Sequence, residues 1–282
     1  MRHPPLLVFG LSGQLGDALR RRGLPSPVLA VSRRVQMQAP APAGDDVEWQ
    51  VGGLQGFEST HAFEAALSLG PLDAFARAVV ERRVRAGRIV AFGSTSLHVK
   101  GRSPVAAERD VAARLADAEA ALFAACRDQG TPCIVLRPTL VWGMGRDATL
   151  SRVVGLARRW SRLPLPLGAP GRRQPVHALD LAEVAVTALM ADAPVTGGFD
   201  LPGGETLAFG EMLRRSVAAG APGCRPWSMP WPVLAGLGRF DARLGGWTSR
   251  LADDLVFDGG PAGEALGWAP RGFAPSAADF PF

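Results

Sequence analysis

The stretch Leu6-Leu7-Val8-Phe9-Gly10-Leu11-Ser12-Gly13-Gln14-Leu15-Gly16 decides the fold of this chain. Leu6–Phe9 is an apolar run of strand length, and the residues from Gln14 to Arg22 read as a helix. Between them Gly10, Gly13 and Gly16 stand at the spacing G-x-x-G-x-x-G. Each glycine has its own reason. Gly10 permits a tight turn, Gly13 lets backbone approach a pyrophosphate, and Gly16 lets the helix pack on the strand. A pyrophosphate then sits at the positive end of the helix. Gly10, Ser12, Gly13, Gln14, Leu15 and Gly16 are therefore the candidate dinucleotide loop.

Outward from this turn, strand and helix alternate as in a parallel sheet with crossover helices. Expected strands are Leu6–Phe9, Val28–Val31, Val47–Val51, Arg88–Phe92 and Cys133–Leu136. Expected helices are Gln14–Arg22, Pro71–Arg85 and Val105–Asp128. Ala62–Leu69 has helical propensity, but the rhythm calls for a strand there, ending at Gly70-Pro71. After Arg137 the rhythm breaks. Leu163–Arg173 is rich in proline and glycine and reads as a loop; Leu179–Ala191 reads as a helix and Gly198–Leu201 as a short strand. The expected architecture is an α/β Rossmann-type doubly wound parallel sheet with a small C-terminal lobe. Its domain spans 1–142, completed by 176–202, and the lobe is built from 143–175 and 203–282.

The chain has 282 residues, of which 47% are hydrophobic, enough for a large core. No apolar run approaches the ~20 residues of a membrane span, and the short run after Met1-Arg2-His3 is taken up by the glycine turn, so a cytoplasmic protein is expected. Cys126, Cys133 and Cys224 form neither a disulfide framework nor a metal cluster. The formal charge is +5. It is carried almost wholly by dispersed arginines, Lys100 being the only lysine, so nucleic acid is not an expected partner.

An NAD site usually has an acidic residue about 20 positions beyond the glycine loop, on the ribose hydroxyls. Between Asp17 and Asp45 there is no carboxylate. The second strand ends instead in Ser32-Arg33-Arg34, whose guanidinium groups can pair with a 2′-phosphate. These residues favour NADP over NAD; two solvated surface arginines are the plain alternative.

Six stretches, in order, resemble the short-chain dehydrogenase/reductase superfamily in its extended and atypical branches, which include nucleotide-sugar epimerases and dehydratases. They are FGLSGQLG (9–16), VAFGSTS (90–96), LRPTLVWGMGRD (136–147), RRQPVHALDLAEV (172–184), FDLPGGETLAFGEML (199–213) and LVFDGGPAGEALGWAPR (255–271). The resemblance implies that Gly70 and Pro71 pass the cofactor and that Gly93 lies beside it. It implies that Ser94, with Thr95 and Ser96, holds the reacting oxygen of a substrate, and that Arg137, Pro138 and Thr139 lie near the nicotinamide. Arg137, Arg146 and Arg173 fall on segments that flank the substrate cleft in this family, where converging arginines favour a pyrophosphate or carboxylate. His177 marks the return to the core, more as a structural residue than as a base. Asp180 is as suited to capping a helix near Leu181 as to chemistry. A nucleotide sugar is the implied small-molecule partner.

Active members of the family move a proton through a tyrosine in a Tyr-x-x-x-Lys helix motif. This chain has no tyrosine. Aligning Glu119 with a glutamate common shortly after that lysine puts Val111 and Leu115 at the two places. Three explanations stay open: a protein that holds NADP as a sensor, scaffold or assembly factor, catalysis by another group, or a slow version of the family reaction. For the second, His98 and Lys100 are the candidates near Ser94 and Thr95, and a desolvated lysine titrates near neutrality; a solvent loop is the plain alternative. The apolar stretch Trp227–Leu237 reads as a packed turn, with a lid, a membrane-surface patch or the contact of a homodimer as other readings.

Overall fold

The structure, a computed structural model, describes residues 6–25, 27–33, 47–59, 61–103, 105–167, 171–230, 233 and 253–281. Arg34, Pro104 and most of 231–252 lie outside these, as does the greater part of the Trp227–Leu237 stretch. The chain divides into two compact units. The first comprises Met1–Pro138, Leu179–Leu201 and Gly259–Trp268; the second comprises Thr139–Ala178, Pro202–Asp258 and Ala269–Phe282.

Elements are numbered in chain order. The first unit is built on strands β1 (Leu6–Phe9), β2 (Val28–Ser32), β3 (Val47–Val51), β4 (Ala66–Ser68), β5 (Ile89–Phe92), β6 (Cys133–Pro138) and β11 (Gly197–Leu201). They form one sheet in the order β11-β6-β5-β4-β1-β2-β3, with every pairing parallel. The order reverses at β1, which pairs with both β2 and β4, and ligands of such sheets bind at the carboxyl ends beside that switch. The strand end of the uncertain segment is confined to Ala66–Ser68.

Helices α1 (Gln14–Arg22), α2 (Leu72–Val80), α4 (Ala106–Asp128) and α6 (Ala178–Met190) are the crossover elements. On one face of the sheet Leu7, Phe9, Ala66, Ile89, Ala91 and Val135 pack against Phe75 and Val79 of α2 and Leu122 of α4. Strand side chains alternate, so Val8, Ala30, Leu67, Val90 and Ile134 are buried on the other pleats. Arg22 of α1 and Glu183 of α6 are bridged at 2.9 Å. Asp180 is not a cap before Leu181: α6 begins at Ala178, which places Asp180 in its first turn, where a carboxylate suits the helix dipole. A short helix α3 (Ser96–Val99) and a 3₁₀ turn (Lys100–Arg102) follow β5, and α8 (Gly260–Leu266) closes this unit.

The second unit contains β7 (Val141–Trp142), α5 (Leu150–Arg159), β8 (Arg162–Leu167), β9 (Arg172–Arg173), β10 (Val176–His177), β12 (Leu207–Ala208), α7 (Phe209–Gly220) and β13 (Arg225–Pro230). Its core holds Trp142, Leu150, Val154, Phe209, Met212, Val217, Phe273 and Phe280. The expected loop at 163–173 is mostly strand, because β8 pairs in parallel with β13. In Leu163-Pro164-Leu165-Pro166 the two leucines alternate into the core, and a two-stranded ribbon tolerates missing N–H groups on its outer side. Part of the Trp227–Leu237 stretch is likewise strand rather than turn, with Trp227 exposed.

All three cysteines are free and buried. Among the described residues no group of three or more metal-ligating side chains occurs, and no helix is long and apolar enough to cross a membrane.

Candidate functional site

The glycine turn closes as its spacing requires. Gly10 sits at φ +87°, a conformation L side chains rarely adopt, and a Cβ there would press on Leu69 at 3.2 Å. The Gly13 amide donates to the Gly10 carbonyl at 2.9 Å, and the Asp17 amide to Gly13 at 2.9 Å, which starts α1. At Gly16 a Cβ would fall 2.0 Å from the Leu11 carbonyl oxygen, so the helix can pack only on glycine. The amides of Gln14, Leu15 and Gly16 thus form the first turn of a helix whose positive end faces the switch point. The Leu69 amide donates to the Phe9 carbonyl, which brings Gly70-Pro71 beside the turn.

At the end of β2 the Ser32 hydroxyl lies 3.0 Å from that of Ser12. This ties the second strand to the glycine turn. Arg33 is exposed, and its stem runs along Gly53 after β3, at 3.4 Å from where a Cβ would stand. Glycine at 53 leaves room for that stem.

At the end of β5, Gly93 is closely packed: a Cβ would stand 3.0 Å from Val135. Thr95 is buried, and its hydroxyl donates to the Pro138 carbonyl at 3.2 Å, fastening the β5 end to the β6 end. The Ser94 hydroxyl accepts the Ser96 amide at 3.2 Å. Leu97 and His98 amides donate back to the Ser94 and Thr95 carbonyls, in two overlapping turns that lead into α3. Lys100 opens the 3₁₀ turn and is half-buried. Both short helices pack against α4, on which Val111 and Leu115 are half-buried and apolar where a tyrosine and a lysine were sought.

Arg137 is taken up by an ion network. Its Nε donates to Glu119 Oε2 at 3.0 Å and a second nitrogen bonds Glu119 Oε1. A third contact reaches Asp200 Oδ1 at 3.4 Å. The bond to Glu119 raises the guanidinium's pKa above its ordinary value, against burial. Asp200 Oδ1 also lies 3.1 Å from His98 Nε2. Gly198 makes this possible: a Cβ would sit 2.2 Å from the guanidinium. Asp200 escaped the sequence reading. The available signal was the glycine pair 197–198 inside a strand, which marks close approach of another group.

The remaining candidates belong to the second unit. Thr139 Oγ1 donates to the Gln174 carbonyl. Arg173 is buried, lies 5.6 Å from the Phe209 ring and donates to the carbonyls of Arg172 and Asp253; burial lowers its pKa, with Asp253 and Asp254 opposing. Arg146 follows three residues with positive φ, Gly143, Met144 and Gly145. Asp147 spends its carboxylate on the first turn of α5, accepting the amides of Thr149 and Ser151 at 3.1 Å. His177 is buried, 3.0 Å from Asp279 Oδ1, with its ring edge-on to Trp142 at 4.5 Å.

No family model matches the sequence. A UDP-glucose 4-epimerase of Vibrio cholerae is 28% identical over 174 residues, covering 58% of this chain and 50% of that protein, so the match spans about half the relative's length. Solved structures match across nearly the whole chain. MoeE5 in complex with UDP-glucuronic acid and NAD superposes with a TM-score of 0.70 at 18% identity, covering 98% of this chain and 97% of that one. The UDP-glucuronic acid 4-epimerase of Bacillus cereus in complex with NAD does so at 0.72 and 11% identity, covering 97% and 96%. With its parallel sheet and glycine turn, the chain carries the fold of the nucleotide-sugar epimerases and dehydratases, the extended short-chain dehydrogenase/reductase fold.

Proposed function

We propose that this protein binds a nicotinamide dinucleotide, NADP in preference to NAD, and uses it in redox chemistry on a nucleotide sugar. The observation that carries the reading is the β1 turn. Glycine is sterically required at Gly10 and Gly16, and the Ser12–Ser32 contact ties the end of β2, with Arg33 next in sequence, to that turn. Gly10, Ser12, Gly13, Gln14, Leu15 and Gly16 would hold the pyrophosphate, and Ser32 and Arg33 the 2′-phosphate. Gly70, Pro71, Gly93 and Pro138 would border the remainder. Held there, the dinucleotide would supply hydride-transfer chemistry toward a substrate carbon. The chain's own part is to orient the substrate hydroxyl at Ser94, with Lys100 nearby, and to keep the β5 and β6 ends joined through Thr95. The neighbours in complex with UDP-glucuronic acid and with NAD support the substrate class and the dinucleotide; the missing carboxylate and Arg33 support NADP.

A second reading is a protein that holds the dinucleotide without turnover. The apolar Val111 and Leu115 on α4 favour it.

Fluorescence titration with NADPH and NADH tests the first step. NADPH is expected to bind about tenfold more tightly, about 1.4 kcal/mol, and Arg33→Ala to remove the difference. Equal affinities would overturn the NADP assignment, and no binding of either would overturn the whole reading. Stopped-flow oxidation of bound NADPH, or reduction of bound NADP, with UDP-glucose and UDP-glucuronate separates enzyme from binding protein.

A further inference from the structure

We infer that His98, held by Asp200, is the proton-transfer residue of this site and stands in for the tyrosine the chain lacks. This rests on the oxidoreductase reading above. Interconverting a carbinol and a carbonyl requires a proton to leave or reach oxygen as hydride leaves or reaches carbon. With no tyrosine in the sequence and apolar residues on α4 at 111 and 115, the base comes from another element at the same end of the sheet.

The acidic groups of that region are engaged elsewhere. Glu119 is buried and gives both oxygens to Arg137. Asp73 accepts the Ala74 amide in the first turn of α2. Glu108 accepts the Ser103 hydroxyl at 2.6 Å. His98 differs from these. It is 37% exposed, its imidazole lies 3.1 Å from a carboxylate, and its segment folds back on the end of β5 through the Leu97 amide on the Ser94 carbonyl and its own amide on the Thr95 carbonyl. A substrate oxygen held by the Ser94 hydroxyl would meet the same short segment that carries the ring. A histidine oriented by a third group is the arrangement that general-base sites share.

Around it stand the carboxylates of Asp200 and Glu119 and the guanidinium of Arg137 that they share, with Lys100 on the same segment. On α4 the charged residues turned inward are Glu108 and Glu119, while Arg109, Asp110, Arg114 and Asp117 are exposed. In the oxidative direction the substrate O–H bond breaks and an N–H bond forms on neutral His98. The C–H electron pair departs as hydride to the oxidised nicotinamide dinucleotide, leaving a carbonyl and an imidazolium. The reverse returns both. Asp200 is a positioning residue that acts through His98.

The test uses the full chain with UDP-glucuronate and UDP-glucose as probes. His98→Gln is expected to bind NADPH as the wild type does, yet to lose about 10²–10⁴-fold in kcat with KM little changed. It should also lose one ionisation of the kcat/KM profile. Imidazole added to His98→Ala should restore part of the rate. Asp200→Asn should displace that ionisation and lower kcat by a smaller factor. Independently of turnover, NADP with UDP-glucuronate should shield His98 from diethyl pyrocarbonate. Undiminished turnover by His98→Gln overturns the inference, as does an ionisation that vanishes in Lys100→Met instead. Unshielded His98 in a protein that binds NADPH does so too, while leaving the binding reading intact. A wild type that binds no NADPH refutes the underlying reading instead.

Discussion

His98 and His177 meet aspartates at almost the same distance, 3.1 Å to Asp200 and 3.0 Å to Asp279. Their surroundings differ. His98 sits on one turn of helix at the end of a parallel sheet, 37% exposed, facing a carboxylate shared with Arg137. His177 is 4% exposed and lies against Trp142. The backbone of Gly143 comes so close that a Cβ there would stand 2.5 Å from its Nε2. Its Asp279 also accepts the Ser276 amide and hydroxyl at 2.8 Å, which closes a 3₁₀ turn (Ala277–Asp279). One ring is open to solvent; the other is enclosed and fastens a chain segment. A hydrogen-bond distance alone assigns neither role, and access to the ring separates them.

The largest expected effect tests the wall around the inner pair. Trp142→Ala should cost about 3–5 kcal/mol in a denaturant titration and render His177 reactive to diethyl pyrocarbonate. A His177 that stays unreactive would break the claim that burial is what separates the pairs. Trp142→Phe should cost far less, about 1 kcal/mol. Among the described residues the buried indole nitrogen has no hydrogen-bond partner, so little beyond volume changes.

Next in size is the same substitution at the two histidines. His177→Ala leaves Asp279 beside a cavity and should lower stability by about 2–4 kcal/mol. His98→Ala should stay within about 0.5 kcal/mol. Equal losses in thermal melts would mean that both histidines are structural. Between them lies Glu119→Gln, which takes a charge from the buried bond to Arg137 and should cost about 2–3 kcal/mol.

The smallest effect is a pH dependence. Burial pushes the Asp279 carboxyl up, but its bonds to His177 and Ser276 more than offset this and hold it below its ordinary value of 3.8. A depressed carboxylate contributes stability that is fully present above its unfolded value and is lost as pH falls through the folded one. Wild type should therefore lose stability relative to Asp279→Asn as pH drops below about 4. A constant difference from pH 6 to 2 would contradict the bond to His177.

The glycine turn, the parallel sheet and its crossover helices were legible because each rests on local chemistry. Gly13 and Gly16 meet backbone only a few residues away, Gly10 takes a positive φ that glycine allows, and strand and helix periods show in short windows. The segment 163–173 was misread because proline content speaks for loops, while the alternation of Leu163 and Leu165 toward the core speaks for an edge strand. The Asp200 side of the site was not legible. His98 and Asp200 stand 102 positions apart, and no periodicity links two single polar residues over such a span. Arg137, expected near a nicotinamide, has its guanidinium taken up by Glu119, a partner that only the register of α4 against β6 brings to it.

The placement of β11 at the edge of the sheet has a consequence for the order of events during synthesis. β1 to β6 are made by residue 138, but the strand bearing Gly198 and Asp200 emerges only after residues 139–196. Until then Arg137 has Glu119 alone as a partner, and the β6 edge stands open. Pairing over such long intervals is slow, and an unpaired edge in an unfinished chain is a point of misassembly. A ribosome stalled before residue 197 would therefore hold a nascent chain with its glycine turn already formed and its histidine not yet oriented.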